Sequence, residues 1–435
     1  MDRFMGLDTL MSANGLTSAK AFEVYYQTIL EGRENMDLNI EGFEWDDPQI
    51  DFTYEMLETG DDIYAMAHYV DLNSPALPSG KQTEFAKLTG SIPRQKYRIV
   101  RGENDYRKEL IIMQEVAAVA RFQGRNVNTS LSQHLSKYLF NTLVEFPEAH
   151  KNSVNYQVGQ MKSDAALTLT DANNPRGIKN VTFSAKVPEA NFITKEWLTK
   201  DAEGKYTAVE GANPIEDLKA KIRELRWIGQ YDNVVVELDE QFAFELFKMP
   251  EVLKAIGYAE TPNLRLSPKN DDNAVAVAKN LTDEAIKDYF RRLINADRIV
   301  YHNTIVAVEK LNTETKNYDR KKMKAFNADV VLVRPEGTIG KIKNVVPLRP
   351  DGSAITAGIF GGRGIIEYIY NPQTRTQDWQ SELTVLAVPT RPKDMFYFKG
   401  VAPADAGGDE GADAGGDEGA GAGGDEGAGE GAGTE

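Results

Sequence analysis

The sequence contains no cysteine. That absence excludes a disulfide, a thiolate nucleophile and a cysteine-held metal. No apolar run approaches the ~18 residues that suggest a membrane span, so no membrane partner is expected. The opening residues, MDRFMGLDTL, lack a charged leader followed by an apolar stretch and are not expected to act as a signal peptide. The expectation is a soluble protein made and kept in a cytoplasm. Histidine is scarce as well. The four, His68, His134, His150 and His302, lie far apart, and no HExxH or GxSxG occurs.

Other chemical signals fade on inspection. GIFGGRG (Gly358–Gly364) lacks the Lys-Ser/Thr of a Walker loop, and GTIGKI (Gly337–Ile342) has its glycines too close together and no hydroxyl after Lys341. Both read as tight turns between strands. The acidic pairs Asp46-Asp47, Asp61-Asp62 and Asp271-Asp272 sit in polar stretches, where carboxylates are ordinarily solvated. No catalytic, cofactor or metal site is predicted, and no enzymatic role.

The last 35 residues lack lysine, arginine and aromatics altogether. Val401–Glu435 holds 13 Gly, 9 Ala and 10 acidic residues, with AGGDEGA repeated at Ala406–Ala412, Ala414–Ala420 and Ala422–Ala428. Such a segment buries too little apolar surface to offset the entropy of ordering, so a disordered acidic tail is expected. Each repeat offers one Asp-Glu pair where a calcium loop needs alternating ligands, so the tail reads as solubilising. Of the chain's net charge of −16 it carries −10, which leaves −6 on the body. No basic run that would grip nucleic acid stands out.

The remaining four hundred or so residues suit one large or two to three ordinary domains. Leu16–Gly32 has helical apolar spacing. Tyr69–Val100, with three prolines and two glycines, reads as a long excursion of two extended arms. Glu109–Phe122 is predicted helical. Ser130 and Gln133 form a candidate capping box for a helix kinked or restarted at Pro147 and continuing to about Lys162. Asn213-Pro214-Ile215-Glu216 is a helix start with cap, proline and acid in order. NVVVELDEQFAFELF reads as a buried strand (Asn233–Leu238) running into a helix, with Val234–Val236, Phe242, Phe244, Leu246 and Phe247 in the core. Thr282 begins a helix stapled by Leu281 and Ile286. Strands are predicted at Arg298–Val308, Val330–Val333, Ile365–Tyr370, Leu383–Val388 and Met395–Phe398. Helices and strands mix without βαβ regularity, so the fold class is α+β.

The order of these features resembles the tailed-bacteriophage major capsid proteins of the HK-type coat fold, in particular its lambda-like members. The resemblance rests on an N-terminal arm followed by YVDLNSPALPSGKQTEFAKLTGSIPRQKYRI, then a helical region. EANFITKEWLTKDAEGKYTAVEGANPIEDLKAKIREL and NVVVELDEQFAFELF follow, and SELTVLAVPTRPKDMFYF closes the body. It implies an N-terminal arm (1–68), an extended loop (69–100) and a peripheral domain with a long spine helix (101–212). An axial domain (213–327) and return strands of both domains (328–400) precede the tail (401–435).

The implied function is assembly into hexamers and pentamers of an icosahedral shell that encloses double-stranded DNA without sequence-specific binding. The protein would then reside in the virion capsid after assembly in the host cytoplasm. A portal is the further partner implied, with scaffolding or decoration proteins as others. Leu72, Leu77, Phe85 and Ile92 are the loop side chains expected to need a neighbouring subunit, and the tail is expected outside the shell. Some family members crosslink a lysine to an asparagine; Lys81 and Lys87 lie in the loop, but no partner is matched. Two other readings stay open: a tail, decoration or surface-layer protein, and a hydrolase or transferase.

Overall fold

The computed structural model describes residues 38–57, 87–101, 103–124, 127–201, 203–228, 231–263, 270–312, 318–347, 355–371 and 376–401. The expected helix at Leu16–Gly32 and the tail beyond Val401 lie outside them. In chain order come β1 (Phe43–Trp45), β2 (Thr53–Leu57), β3 (Lys87–Ser91), β4 (Arg94–Arg101), α1 (Glu103–Phe122) and α2 (Val127–Asp164). Next are β5 (Ala166–Leu169), β6 (Val181–Ser184), β7 (Phe192–Lys200), β8 (Tyr206–Ala208), α3 (Pro214–Ile228) and β9 (Val234–Asp239). Four helices follow: α4 (Glu240–Phe247), α5 (Pro250–Glu260), α6 (Asp271–Lys279) and α7 (Asp283–Ile294). The last strands are β10 (Arg298–His302), β11 (Ile305–Leu311), β12 (Tyr318–Lys324), β13 (Val330–Pro335), β14 (Gly340–Asn344), β15 (Ile355–Ile359), β16 (Gly364–Asn371), β17 (Thr376–Pro389) and β18 (Phe396–Val401). The class is α+β.

Local chemistry explains several boundaries. Asn213 Oδ1 accepts from Glu216 N (3.3 Å) at the start of α3, and Pro214 supplies the first turn, where its missing N–H costs nothing. Asp239 ends β9 and caps α4 by accepting from Phe242 N (3.1 Å). Thr282 Oγ1 caps α7, with Leu281 and Ile286 both packed on the core beside it. In α2 the expected cap fails, and of the two outcomes expected at Pro147 a restart is excluded. The helix begins before Ser130, so that residue cannot be its cap, and it runs unbroken through Pro147 for 38 residues. Pro147 is itself buried, as is Phe146 beside it; the packing of that turn outweighs one lost backbone hydrogen bond.

Two six-stranded sheets organise the body. In the first, β17 is the shared strand. β4 and β16 flank its first part, from Gln377↔Arg101 and Gly364↔Leu383, while β14 pairs with Asn344↔Val385 to Gly340↔Pro389. The second runs β10-β9-β13-β18-β7-β8. Its central strands β9 and β13 are buried at every position, the reading that a continuous apolar run predicts when both faces are covered. Val236, Leu238, Val331 and Val333 face a core closed by α3 to α7. Leu332 and Tyr397 face the other, first core, built on α2 and the first sheet.

Strands β7 and β8 precede residue 213 yet pair in this second sheet, so its core draws on more of the chain than 213–327. The expected run Arg298–Val308 divides into β10 and β11, which belong to different sheets. GIFGGRG is the turn between β15 and β16, with Phe360, Gly361 and Gly362 all at positive φ.

Phe244 departs from its expected core position. Phe242, Leu246 and Phe247 are buried, but Phe244 is half-buried, with Lys287 Nζ 5.0 Å from its ring centre. Phe242→Ala is therefore expected to cost about 3–5 kcal/mol, and Phe244→Ala clearly less, in denaturant unfolding. Equal costs would place the helix face wrongly.

Candidate assembly surface

Two strands leave the first core side by side. β2 and β3 pair antiparallel from Thr53↔Ser91 to Leu57↔Lys87, with residues 58–86 between them. Their root is fixed to the body: Ile92 N donates to Phe52 O (2.8 Å), Val346 N donates to Gln49 O (2.8 Å), and Tyr54 is buried. A Cβ on Gly90 would lie 2.7 Å from the Tyr54 ring, so only glycine lets the ring pack there.

The excursion expected at Tyr69–Val100 is thus displaced. Arg94–Arg101 is a sheet strand, and the arm begins by Thr53. Ile92, expected to await a neighbour, is only 4% exposed and belongs to the subunit's own core. Its place in a Pro/Gly-rich stretch suggested a loop, but its backbone bond to Phe52 holds it inward. Leu72, Leu77 and Phe85 lie outside the described residues.

Apolar side chains are exposed at this root and on α1. Ile50 is 84% exposed, and Phe52 and Val346, tied to it through the backbone, are also exposed. Ile111, Ile112, Val119 and Phe122 on α1 are exposed too, Phe122 at 94%. Single exposed apolar residues are ordinary; groups of them mark contact surfaces.

A second cluster is fully enclosed, where the second sheet meets α2. Glu237 of β9 points away from Val236 and Leu238, toward Lys162 Nζ (2.9 Å) and His302 Nε2 (2.6 Å), and bonds the Arg334 Nε. Lys162 is within ion-pair distance but is not aligned as a hydrogen-bond donor. Arg334 also reaches Glu41 (3.4 Å), His302 stacks on Phe326 at 4.5 Å, and Asn39 N donates to Asn155 Oδ1 (2.8 Å). Burial would raise the Glu237 carboxyl, but Lys162, His302 and Arg334 outweigh it and hold the group well below its ordinary value. Burial lowers Lys162, with Glu237 opposing.

Beside it lies a cavity of about 10 Å³, room for one water-sized sphere and no substrate. The cluster ties the segment around Asn39 and Glu41, α2, β9, β10 and β13 together. Its signal in the sequence was Glu237 inside an apolar run, since a carboxylate in a buried strand requires partners.

The predicted acidic pairs do not converge. Asp46 is ion-paired with Lys341 and Lys343, Asp271 accepts from Tyr258 in the first turn of α6, and Asp61-Asp62 lies outside the described residues. Among the described residues no group of three or more His, Asp or Glu is placed to hold a metal. His68, and the side chain of His134, likewise fall outside.

His150, 2% exposed, bonds Ser381 Oγ at 2.8 Å. Burial lowers its pKa from 6.5 to about 4. Between those values the unfolded chain binds a proton that the folded chain refuses, so stability falls as pH drops from 6.5 towards 4. The gap corresponds to roughly 3 kcal/mol. A His150→Gln variant should show a flatter stability profile across that window; identical profiles would overturn the assignment.

The sequence reading missed one further surface. β11 and β12 form a separate two-stranded ribbon, paired from Ile305↔Lys324 to Leu311↔Tyr318. Residues 305–324 carry six lysines and arginines against three acids. Lys310, Arg320, Lys321 and Lys322 are exposed. Charge counted over the whole acidic chain hid this local excess, and the intervening acids broke the run.

A scan against protein-family models finds no match, and neither does a search of curated proteins. Among solved structures the chain is similar to a phage-related protein from Bordetella bronchiseptica RB50 (11% identity, 86% of this chain, 96% of that one, TM-score 0.40). It is also similar to a chain of the satellite phage P4 procapsid that includes the size determination protein (11%, 82% and 84%, TM-score 0.38). A third likeness is to the capsid of the myovirus phage XM1 (9%, 82% and 90%, TM-score 0.34).

Proposed function

We propose that this chain is a coat subunit that assembles with copies of itself into a closed, virion-type shell. The observation that carries the reading is the rooted β2–β3 pair. Two strands leave the body with residues 58–86 between them, beside the uncovered Ile50, Phe52 and Val346. An isolated two-stranded ribbon is marginal in water, so a structure anchored this firmly at its base has use for a surface on another molecule. Identical subunits supply such a surface repeatedly, each arm lying on the next. Hexamers and pentamers, a DNA content, and portal, scaffolding or decoration partners belong to this proposal as its finer parts.

Electron microscopy of the purified full chain is expected to show closed particles. Light scattering should show no stable monomer at high concentration. A protein that stays monomeric would overturn the reading, and open tubes or fibres would favour a tail component.

A further inference from the structure

The acidic tail and the basic ribbon are charge features of opposite sign, and the fold brings their ends near one another. β18 ends at Val401, and Lys399 stands opposite Val330 in β13, with Gly400 N donating to Asp329 O at 3.0 Å. Asp329 is held in turn by Lys200 and Tyr206. Only five residues of chain lie between Lys324, the last residue of β12, and Val330. At 3.3–3.6 Å per residue the ribbon's base lies within ~20 Å of Val330, and so within ~30 Å of Val401, where the tail begins.

From this geometry we infer that the tail, residues 402–435, docks on the β11–β12 ribbon of its own subunit as a tethered polyanion. Reach is sufficient. A Gly-rich chain of 34 residues spans ~30–35 Å r.m.s., against a seven-residue ribbon of ~20 Å. Charge is complementary: the tail has 10 acids and no cation, while 305–324 has a net of +3, from six cations and three acids.

The cations are available to it. Arg320 meets Glu309 at 3.1 Å and Lys310 meets Asp171 at 3.7 Å, but these pairs are exposed and weak, so their cations can be shared. Lys321 and Lys322 have no ion-pair partner among the described residues. The tether raises the local carboxylate concentration to the millimolar range without any shaped pocket. A repeat of AGGDEGA suits such a contact, because each acidic pair can replace the next as the chain slides. The docked tail covers a basic strand pair, and so screens it from other polyanions.

Zero-length carbodiimide crosslinking of the full chain, read by mass spectrometry, tests this. Tail carboxylates should couple to Lys321 and Lys322 at ~10 mM salt, where the Debye length is ~30 Å, and lose most of that coupling at ~1 M, where it is ~3 Å. Mixing isotopically heavy and light chains should give same-chain pairs. Acetylation of Lys321 and Lys322 should be about threefold faster in a chain cut after Val401, or in one whose ten tail acids are amides, while Lys248 and Lys195 are unaffected. Crosslinks spread over all surface lysines would overturn the proposal. So would heavy–light pairs alone, or double-stranded DNA binding the ribbon equally well with and without the tail. None of these readouts requires a shell, so their failure is separable from failure of the coat-subunit reading.

Discussion

Replacing residues 58–86 with a short glycine linker is expected to give a folded subunit that forms no particles. The register from Thr53↔Ser91 to Leu57↔Lys87 keeps the two chain ends adjacent, so the linker has only to close a hairpin. Loop length itself has a small thermodynamic effect: each halving changes closure entropy by only about 0.6 kcal/mol. The first core retains Tyr54 and Ile92, and the second sheet is untouched. Assembly, by contrast, loses whatever the arm lays across a neighbour. Cooperative melting within a few degrees of the parent, together with absence of particles by electron microscopy, is the predicted pair of results. Normal shells would show that the arm is not the joining element. A cut extending to Arg94 would instead remove Ile92 and shorten β4, and should unfold the protein.

The second large effect is expected at Glu237. Its carboxylate is the buried counter-charge for both Lys162 and Arg334, which are 0% and 1% exposed. Glu237→Ala leaves two cations enclosed, with Glu41 at the rim as the one acid left within ion-pair distance of them among the described residues. Breaking a buried pair from one side costs about 3–5 kcal/mol, because the abandoned charge has no water. Glu41→Ala should cost about 1 kcal/mol or less, since its partner Arg298 is half exposed.

The sign with pH follows from the depressed Glu237 value. Its stabilisation is present above the ordinary 4.5 and is lost as pH falls through the lower folded value. The parent should therefore lose stability as pH falls below 4.5, and Glu237→Gln should lack that component of acid unfolding. If Glu237→Ala proves too unstable to purify, Glu237→Gln keeps the shape and should still lower the melting temperature markedly. A Gln variant as stable as the parent would mean that the cluster is neutral.

Much of this was legible where local and tertiary demands agree. VVVELD followed by EQFAFELF reads as strand into helix because burial on both faces and a capping aspartate point to the same break. Asn213-Pro214 and Thr282 mark helix starts through hydrogen bonds made within four residues. What failed was non-local. Pro147 lies in a continuous helix because the surrounding core decides its backbone. Ile92 is buried because of a bond to Phe52, forty residues earlier. The ribbon and the Glu237 cluster emerge only when strands far apart in sequence are placed side by side. Lys162 and Glu237 are 75 positions apart, and Glu237 and Arg334 97. Neither spacing has a periodicity to detect.

The second sheet has a consequence for how the molecule comes apart. Because β13 is a wall of both cores and pairs directly with β9, neither half can open while the other stays shut. Amide hydrogens of Val331, Leu332 and Val333 should exchange only through global opening, and together with those of Val234 to Leu238. A force applied to the arm would be delivered through the first sheet to this shared wall. The subunit would then yield as one piece instead of peeling layer by layer, which suits a building block loaded from several sides at once.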